Sequence, residues 1–410
     1  MDFYKVASVE EVKDIINSNF SLNLEKELID LKQCNGRILY QDITSPLNIP
    51  GFKRSMVDGY AVKCKDVQGA SESIPSMLDL KGEVTMGKMS SQALEFSGEC
   101  MYIPTGGMLP KGSDSVVMIE YTDKMEDDTI LVNKSVAFGE NVLDEDEDVE
   151  LGETVLKGGT LLKPYSISML SSLGIIKVPV FCKPRVGIIS TGDEIVSPEE
   201  NPNPGQIRDI NSYLLYSSVI EDGGEPILYG VIGDDYEKLL EAAQKALDEC
   251  DIVLISGGSS VGKKDQTAKV IDALGEPGIL LHGISIKPGK PTILGKVKNK
   301  PIFGLPGHPL SCAVIYRILV RYLLQRIMKL EEVEYAIPCK FSMNYHKAKG
   351  REEYLPVTID NKEEEYIAIP ILTKSAAISG FTKACGYVKI DKNVEGILKD
   401  QRVYVYRFQR

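Results

Sequence analysis

D-I-V-L-I-S-G-G-S-S-V-G-K-K-D, residues 251–265, is the stretch on which the reading of this chain turns. The apolar run Ile252–Ile255 suits a buried strand of a parallel sheet. It breaks off at Ser256-Gly257-Gly258-Ser259-Ser260-Val261-Gly262, and a helical pattern follows. Glycines at the end of a strand carry no Cβ, so backbone N–H groups there can approach a phosphate or another oxyanion. Asp265 follows as a carboxylate able to hold a divalent metal against that anion. Open α/β sheets bind ligands just beyond the carboxyl ends of their strands. The segment therefore reads as a binding site rather than a connection.

The flanking sequence supports that sheet. Val186–Ser190 is strand-like, Asn211–Glu221 helical, Ile227–Val231 strand-like and Tyr236–Glu249 helical. Ile279–Ile286 and Thr292–Val297 follow as strand-like runs, and a long helix is predicted from Pro309 to about Leu330. Strands alternating with helices predict βαβ units and a mostly parallel sheet covered on both faces. Residues 1–45 read as helical, with Val9, Val12, Ile15 and Ile16 at helical spacing, then Leu24, Leu28 and Leu31. Residues 46–143 change texture to short β-like runs broken by glycine and proline, such as Ser115–Ile119 and Thr129–Val132, and read as a β-rich domain. Residues 144–180 begin acidic and turn helical around Ser166–Leu173. They are expected to join residues 1–45 in one discontinuous linker domain, which makes the β-rich part an insertion. Residues 181–330 form the α/β domain and residues 331–410 a small C-terminal β domain. The expected fold class is thus multidomain, α/β plus β.

Bulk properties narrow the function. At 410 residues the chain has room for about three domains of ordinary size. It is 43% hydrophobic and 26% charged, as soluble globular proteins are. No apolar run approaches the ~18–20 residues needed to cross a bilayer. The start, Met1-Asp2-Phe3-Tyr4-Lys5, lacks a signal-peptide pattern, so a cytoplasmic protein is expected. Eight cysteines are scattered without a C-x-x-C pair and there are three histidines, which argues against a zinc centre and fits reduced thiols. A formal net charge of −12 disfavours nucleic acid as a partner. A small anionic substrate must then be met locally, by backbone amides and a few lysines, and Mg²⁺ would ease the conflict. G-x-x-x-x-G-K-[ST] is missing and G-x-G-x-x-G is absent from the strand–helix turns, so a generic nucleotide kinase or ligase is a poor reading.

Further motifs are individually ambiguous. Ser190-Thr191-Gly192-Asp193-Glu194 ends the Val186–Ser190 strand. Its two carboxylates can ligate Mg²⁺, or Asp193 can simply cap a turn. Lys287-Pro288-Gly289-Lys290-Pro291 is a rigid turn holding two ammonium groups, a phosphate clamp or an exposed basic hairpin. Gly304-Leu305-Pro306-Gly307-His308-Pro309 closes a strand and opens the long helix, an anion seat or mere helix-start punctuation. Ser55–Ala61, with Asp58 inside it, Thr105-Gly106-Gly107 and Gly112-Ser113-Asp114 are by themselves turns. The acidic run 144–148 is by default a solvated face.

In order, these pieces are R-S-M-V-D-G-Y-A-V (54–62), P-T-G-G-x-L-P-x-G-x-D (104–114), S-T-G-D-E (190–194), S-G-G-x-S-V-G-x-x-D (256–265), K-P-G-K-P (287–291), G-L-P-G-x-P (304–309) and G-R-x-E-Y (350–354). The ordered set, from about residue 8 to 390, resembles the molybdopterin molybdenumtransferase family. The resemblance implies a homodimer of elongated four-domain subunits: the discontinuous linker domain, the inserted β-rich domain, a molybdopterin-binding α/β domain and a C-terminal β-barrel. It implies a site between the α/β domain of one subunit and the β-rich domain of the other, which would give Asp58 a role far from Gly257. By motif position it points to Asp58, Asp148, Glu194, Asp234 and Asp265 as the functional carboxylates. Glu194, Asp234 and Asp265 are the expected Mg²⁺ ligands. The substrate would lie along Ser190, Thr191, Gly192, Asp193, Gly257, Gly258, Ser260, Gly262, Pro306 and Gly307. Lys287, Gly289 and Lys290 would face anionic groups, and Ser375 falls at the family's C-terminal serine position. The implied substrates are adenylylated molybdopterin and molybdate, or tungstate, with molybdenum cofactor and AMP as products and a molybdopterin adenylyltransferase as a partner. A non-catalytic molybdopterin carrier or scaffold is the alternative. Three places depart from the family pattern. Leu143-Asp144-Glu145-Asp146-Glu147-Asp148 is acidic where an Arg-rich stretch is usual, His308 replaces Asn, and Ser259 stands where Val is common.

Overall fold

A computed structural model of the chain describes residues 6–257, 266–330, 336–362, 365–372, 376 and 378–408. Six strands form the sheet at its centre: β1 (Arg185–Thr191), β2 (Glu225–Ile232), β3 (Ile252–Ser256), β4 (Pro277–His282), β5 (Ile293–Val297) and β6 (Lys300–Leu305). Their order is β2-β1-β3-β6-β5-β4. The first four run parallel; β5 is antiparallel to β6, and β4 antiparallel to β5. The β5–β6 connection is a tight hairpin because Lys298 and Asn299 both adopt positive φ, at 49° and 65°.

Alternate side chains of each strand point to opposite faces, and both faces are covered. On one face Val186, Ile188, Ile252, Leu254, Phe303 and Leu305 join a core with three helical elements. These are α1 (Val9–Asn19), α2 (Asn211–Glu221) and a long helix, α5, made of Pro309–Ile315, Tyr316–Val320 and Arg321–Ile327 with a π-helical middle. On the other face Ile189, Val253, Ile255, Ile293 and Ile302 pack against α3 (Tyr236–Glu249) and α4 (Gln266–Ala273). β3 is buried along its whole length, as its unbroken apolar sequence requires. α1 starts at a capping box, with Ser8 N–H donating to Glu11 Oε2 at 2.7 Å and Glu11 N–H to Ser8 Oγ at 3.3 Å. Its Val9, Val12 and Ile16 are sunk in the core of the α/β unit.

The helical reading of Leu24, Leu28 and Leu31 fails. Lys26–Asp30 is a strand, antiparallel to Lys177–Phe181. Three apolar residues at helical spacing are too few to outweigh a partner strand supplied from far along the chain, and Leu28 is left 62% exposed. Ile43–Thr44 likewise pairs with Thr154–Leu156, and Cys34, Leu39, Leu162, Leu170 and Val178 share one small core. Between these two arms the chain makes a six-stranded sheet in the order 115–118, 59–62, 99–103, 76–83, 129–132, 122–124.

The C-terminal region is the expected barrel. Strand Glu352–Lys362 pairs with Glu365–Pro370, then come Ala336–Phe341, Arg402–Arg407 and Gly386–Ile390, and the last returns to Glu352–Lys362 to close five strands. A sixth, two-residue strand, Ile286–Lys287 from the α/β unit, adds on in parallel. Among the described residues no helix is long and apolar enough to cross a membrane.

Candidate functional site

From β1 the chain crosses first to β2 on one side and then to β3 on the other. The crevice between the carboxyl ends of β1 and β3 is therefore the topological switch point, where open α/β sheets take their ligands. Ser190 and Ser256 face each other in register at that end. Gly257 follows with φ +106°, and a Cβ there would stand 2.1 Å from the Thr191 carbonyl oxygen. Only glycine lets the two strand ends close to this distance. Gly257 N–H donates to the Leu305 carbonyl at 3.2 Å, and its own carbonyl accepts from Thr267 Oγ1 at 3.2 Å. Gly307 completes the cradle, since its Cβ would come within 3.7 Å of Gly257 Cα. Gly258, Ser260, Gly262 and Asp265, with Ser259, lie outside the described residues.

Beneath this edge is a buried polar cluster. Asp209 Oδ1 accepts from Ser190 Oγ at 3.3 Å and from Ser212 N–H at 3.1 Å. Asn211 Nδ2 donates to Ser256 Oγ at 2.7 Å and to the Gly307 carbonyl at 2.8 Å. Asn211 thus ties the ends of β3 and β6 to the start of α2. Ser190, Thr191, Asp209, Asn211, Ser212 and Ser256 are all buried. Asn211 Oδ1 and Ser212 Oγ find no hydrogen-bond partner among the described residues. Buried polar atoms of this kind cost about 1–3 kcal/mol each unless something completes them. Cys312 lies under the cluster; burial pushes its thiol up to about 12, while a hydrogen bond with Ser256 pulls the other way.

A second wall comes from the turns after β1 and β2. Asp193 Oδ1 accepts the Asp234 N–H at 2.8 Å, so the turn role left open by the sequence is realised here and joins the two loops. Gly233 must be small because a Cβ would sit 2.9 Å from that same oxygen. The Glu194 carboxylate folds back over Gly192, within 2.9 Å of where a Cβ would be. The Asp234 carbonyl accepts from Gln266 Nε2 at 2.8 Å, which fixes α4 to the same rim. These turns enclose a cavity of about 370 Å³ whose lining includes Asp193, Asp209, Ser212, Tyr213, Leu228 and Val231. Carboxylate acceptors beside an aromatic ring and aliphatic groups suit a flat heterocycle that bears N–H donors. No three His, Cys, Asp or Glu side chains converge on a metal position among the described residues.

One edge thus gathers Ser190, Thr191, Gly192, Asp193, Glu194, Asp234, Gly257, Pro306 and Gly307. The K-P-G-K-P turn lies at the seam with the barrel, where Lys287 Nζ pairs with Glu353 Oε1 at 2.8 Å. Gly289, at φ +118°, leaves no room for a Cβ, which would meet Ile315 Cδ1 at 2.6 Å. Lys290 is exposed. Among the described residues no hydrogen bond or ion pair joins Asp58 or Asp148 to the edge. Asp58 accepts from Thr105 N–H at 2.7 Å and Thr105 Oγ1 at 3.0 Å, and both carboxylates are exposed. In the acidic run, Asp144 pairs with Lys53 at 2.7 Å and this contact raises the Lys53 pKa. Ser375 lies outside the described residues. Asp209, Asn211 and Ser212 were missed by sequence reasoning. Their one signal is a D-x-N-S string before an apolar helix, which looks like ordinary capping until the sheet buries it.

Three family profiles match the chain: the MoeA N-terminal region (domain I and II) over residues 7–174, a "Probable molybdopterin binding domain" over 187–326, and the MoeA C-terminal region (domain IV) over 339–408. A molybdopterin biosynthesis MoeA protein of Pyrococcus horikoshii is 39% identical, with a TM-score of 0.84 over 99% of this chain and 100% of that one. A second crystal structure of a protein so described, from Pyrococcus horikoshii OT3, is 32% identical with a TM-score of 0.86 over 98% and 100%. A molybdopterin molybdenumtransferase of Haemophilus influenzae is 34% identical over 80% of each chain.

Proposed function

The chain belongs to the molybdopterin molybdenumtransferase (MoeA) family, and from that premise we propose that it inserts molybdate, or tungstate, into adenylylated molybdopterin with release of AMP. The observation that carries the reading is the buried polar edge at the switch point. Two side-chain atoms, Asn211 Oδ1 and Ser212 Oγ, stand there without partners among the described residues, beside the strand ends that Gly257 and Gly307 allow to close together.

In this reading the heterocycle and phosphates lie along Ser190–Asp193, Gly257 and Gly307, at strand ends where the glycines leave the backbone uncovered. Lys287 and Lys290 offset oxyanion charge against the chain's net charge of −12. Glu194, Asp234 and Asp265 offer hard carboxylate oxygens of the type Mg²⁺ takes. Bound there, the cation would neutralise phosphate charge and polarise the phosphoanhydride. Asp193 holds the loops that carry Glu194 and Asp234 at a fixed separation. No side-chain nucleophile is required.

Asp58 and Asp148 act on the edge of a neighbouring subunit in a homodimer. Their exposure, and the absence of a tie to the edge of their own subunit among the described residues, support this placement. The working division is residues 1–45 with 144–180, then 46–143, 181–330 and 331–410. A cytoplasmic setting fits eight cysteines that are all free, and a molybdopterin adenylyltransferase is the partner that would supply the substrate.

The test incubates the full chain with adenylylated molybdopterin, molybdate and Mg²⁺. AMP release coupled to metal insertion is the expected result. Tight binding without AMP would instead mark a carrier, the reading that the acidic 144–148 segment favours.

A further inference from the structure

The C-terminal barrel meets the α/β unit through an ion pair as well as through backbone pairing. Ile286 and Lys287 pair in parallel with Glu352 and Glu353. Across the same register the Glu353 carboxylate, 6% exposed, accepts from Lys287 Nζ at 2.8 Å, although the lysine side chain is 59% exposed. The same oxygen, Oε1, accepts from Tyr345 hydroxyl at 2.7 Å. Burial and that bond to Glu353 both raise the Tyr345 pKa, so the hydroxyl stays a donor. The second oxygen, Oε2, is buried and has no partner among the described residues.

The backbone of the K-P-G-K-P turn does not depend on this pair. Thr292 Oγ1 donates to the Gly289 carbonyl at 2.7 Å, and Ile284 N–H donates to the Lys290 carbonyl at 3.0 Å. Glu352 N–H donates to the Ser285 carbonyl at 3.2 Å, and Ser285 Oγ to the Gly350 carbonyl at 2.8 Å. What Glu353 decides is where the Lys287 ammonium sits at the end of a flexible four-carbon stem. Lys290, on the same turn, is exposed and makes no ion pair among the described residues. Among the described residues the turn therefore presents one anchored cation and one without an ion pair.

We infer that Glu353 is a positioning residue for oxyanion capture: from the barrel it anchors the Lys287 ammonium, so that an anion site carried by the α/β unit is completed by the C-terminal unit. The inference rests on the transferase reading for its reaction, but its binding consequence can be measured without turnover. Full-length wild type, Glu353→Gln, Glu353→Asp, Lys287→Met and the Glu353→Gln/Lys287→Met double variant are compared. One measurement is molybdate binding by equilibrium dialysis; the other is steady-state turnover over a range of molybdate concentrations.

Glu353→Gln is expected to weaken molybdate binding and raise its KM about tenfold, with kcat within about twofold and the KM for the pterin substrate unchanged. Glu353→Asp should recover part of the loss. The double variant should be no worse than Lys287→Met alone, because Glu353 acts through that lysine. Unchanged molybdate binding in Glu353→Gln overturns the inference, and so does a loss that adds in full to that of Lys287→Met. If Glu353→Gln does not fold, Tyr345→Phe replaces it: removing one donor from Oε1 should shift the molybdate KM in the same direction by a smaller factor, and no shift counts against the inference. Wild type that binds molybdate but releases no AMP would overturn the transferase reading while leaving the Glu353 comparison readable by dialysis.

Discussion

The switch-point edge and the Asp58 turn are both assigned to one reaction, yet they are built in opposite ways. At the edge, Asp209, Asn211 and Ser212 are buried, Asp209 accepts from Ser190, Asn211 donates to Ser256 and Gly307, and two polar atoms are left without partners among the described residues. At the turn, Asp58 is exposed and its hydrogen bonds come from Thr105, forty-seven positions along the same small domain. In the proposed reading the edge holds its binding capacity as polarity inside a core, so folding and ligand binding would draw on the same atoms. Asp58 is displayed on a surface and can be altered without touching a core. Substitutions at the edge should therefore move stability and activity together, and substitutions at Asp58 should separate them.

The strongest way to break this contrast is Gly257→Ala. Its methyl would be driven against the Thr191 carbonyl in a positive-φ conformation, and a loss of about 2–4 kcal/mol of stability together with nearly all turnover is expected. Urea unfolding and an AMP-release assay on the same sample read both. Asn211→Ala should come next, costing about 1–3 kcal/mol because Ser256 Oγ and the Gly307 carbonyl lose a buried donor, with substrate binding weakened at least tenfold. A variant that lost stability but bound substrate normally would make the cluster purely architectural.

Asp58→Ala tests the other side. Stability should change by no more than about 0.5 kcal/mol, as at exposed positions generally, while turnover collapses. Mixing Asp58→Ala with Asp265→Ala, each inactive alone, should restore partial turnover if the two residues meet across a dimer. Failure of every mixture to recover activity would remove Asp58 from the site. The smallest effect belongs to Cys312. Its folded pKa is raised from 9.0 to about 12, so the stability linked to the protonated thiol is complete below pH 9 and fades as pH climbs towards 12. Relative to Cys312→Ala, the urea midpoint of the wild type should fall only in that alkaline window, and the native thiol should resist alkylation at pH 8.

Much of the architecture was legible in sequence because its signals were strong and local. Ile252–Ile255 is apolar on every residue, as a strand covered on both faces must be. Asn211–Glu221 and Tyr236–Glu249 carry helical patterns with the structure's own limits. Lys26–Asp30 was not legible, because its partner, Lys177–Phe181, is a tertiary fact and short runs do not distinguish periods of 2 and 3.6. The site divides the same way. Gly257, Gly192 and Asp193 announced themselves as turn chemistry at strand ends. Asp209, Asn211 and Ser212 gave nothing beyond a helix cap, since their importance comes from a Ser256 and a Gly307 that only folding brings near. Glu353 lay inside a motif whose match to other proteins could be seen, but its bond to Lys287 could not.

The two-residue strand Ile286–Lys287 limits how the molecule can be dissected. A fragment ending at residue 330 would keep all six strands of the central sheet and the core on the α3–α4 face, but the opposite core would lose the barrel's Tyr354 and Tyr387. It would also lose the barrel strand against which Ile286 and Lys287 pair. Freed amide and carbonyl groups there would form an open edge, the kind of surface on which copies of a chain stick to one another. Such a fragment should fold and still tend to self-associate, with its basic turn untethered. The α/β unit is separable as a sequence, but the turn that serves its ligand is held in joint custody.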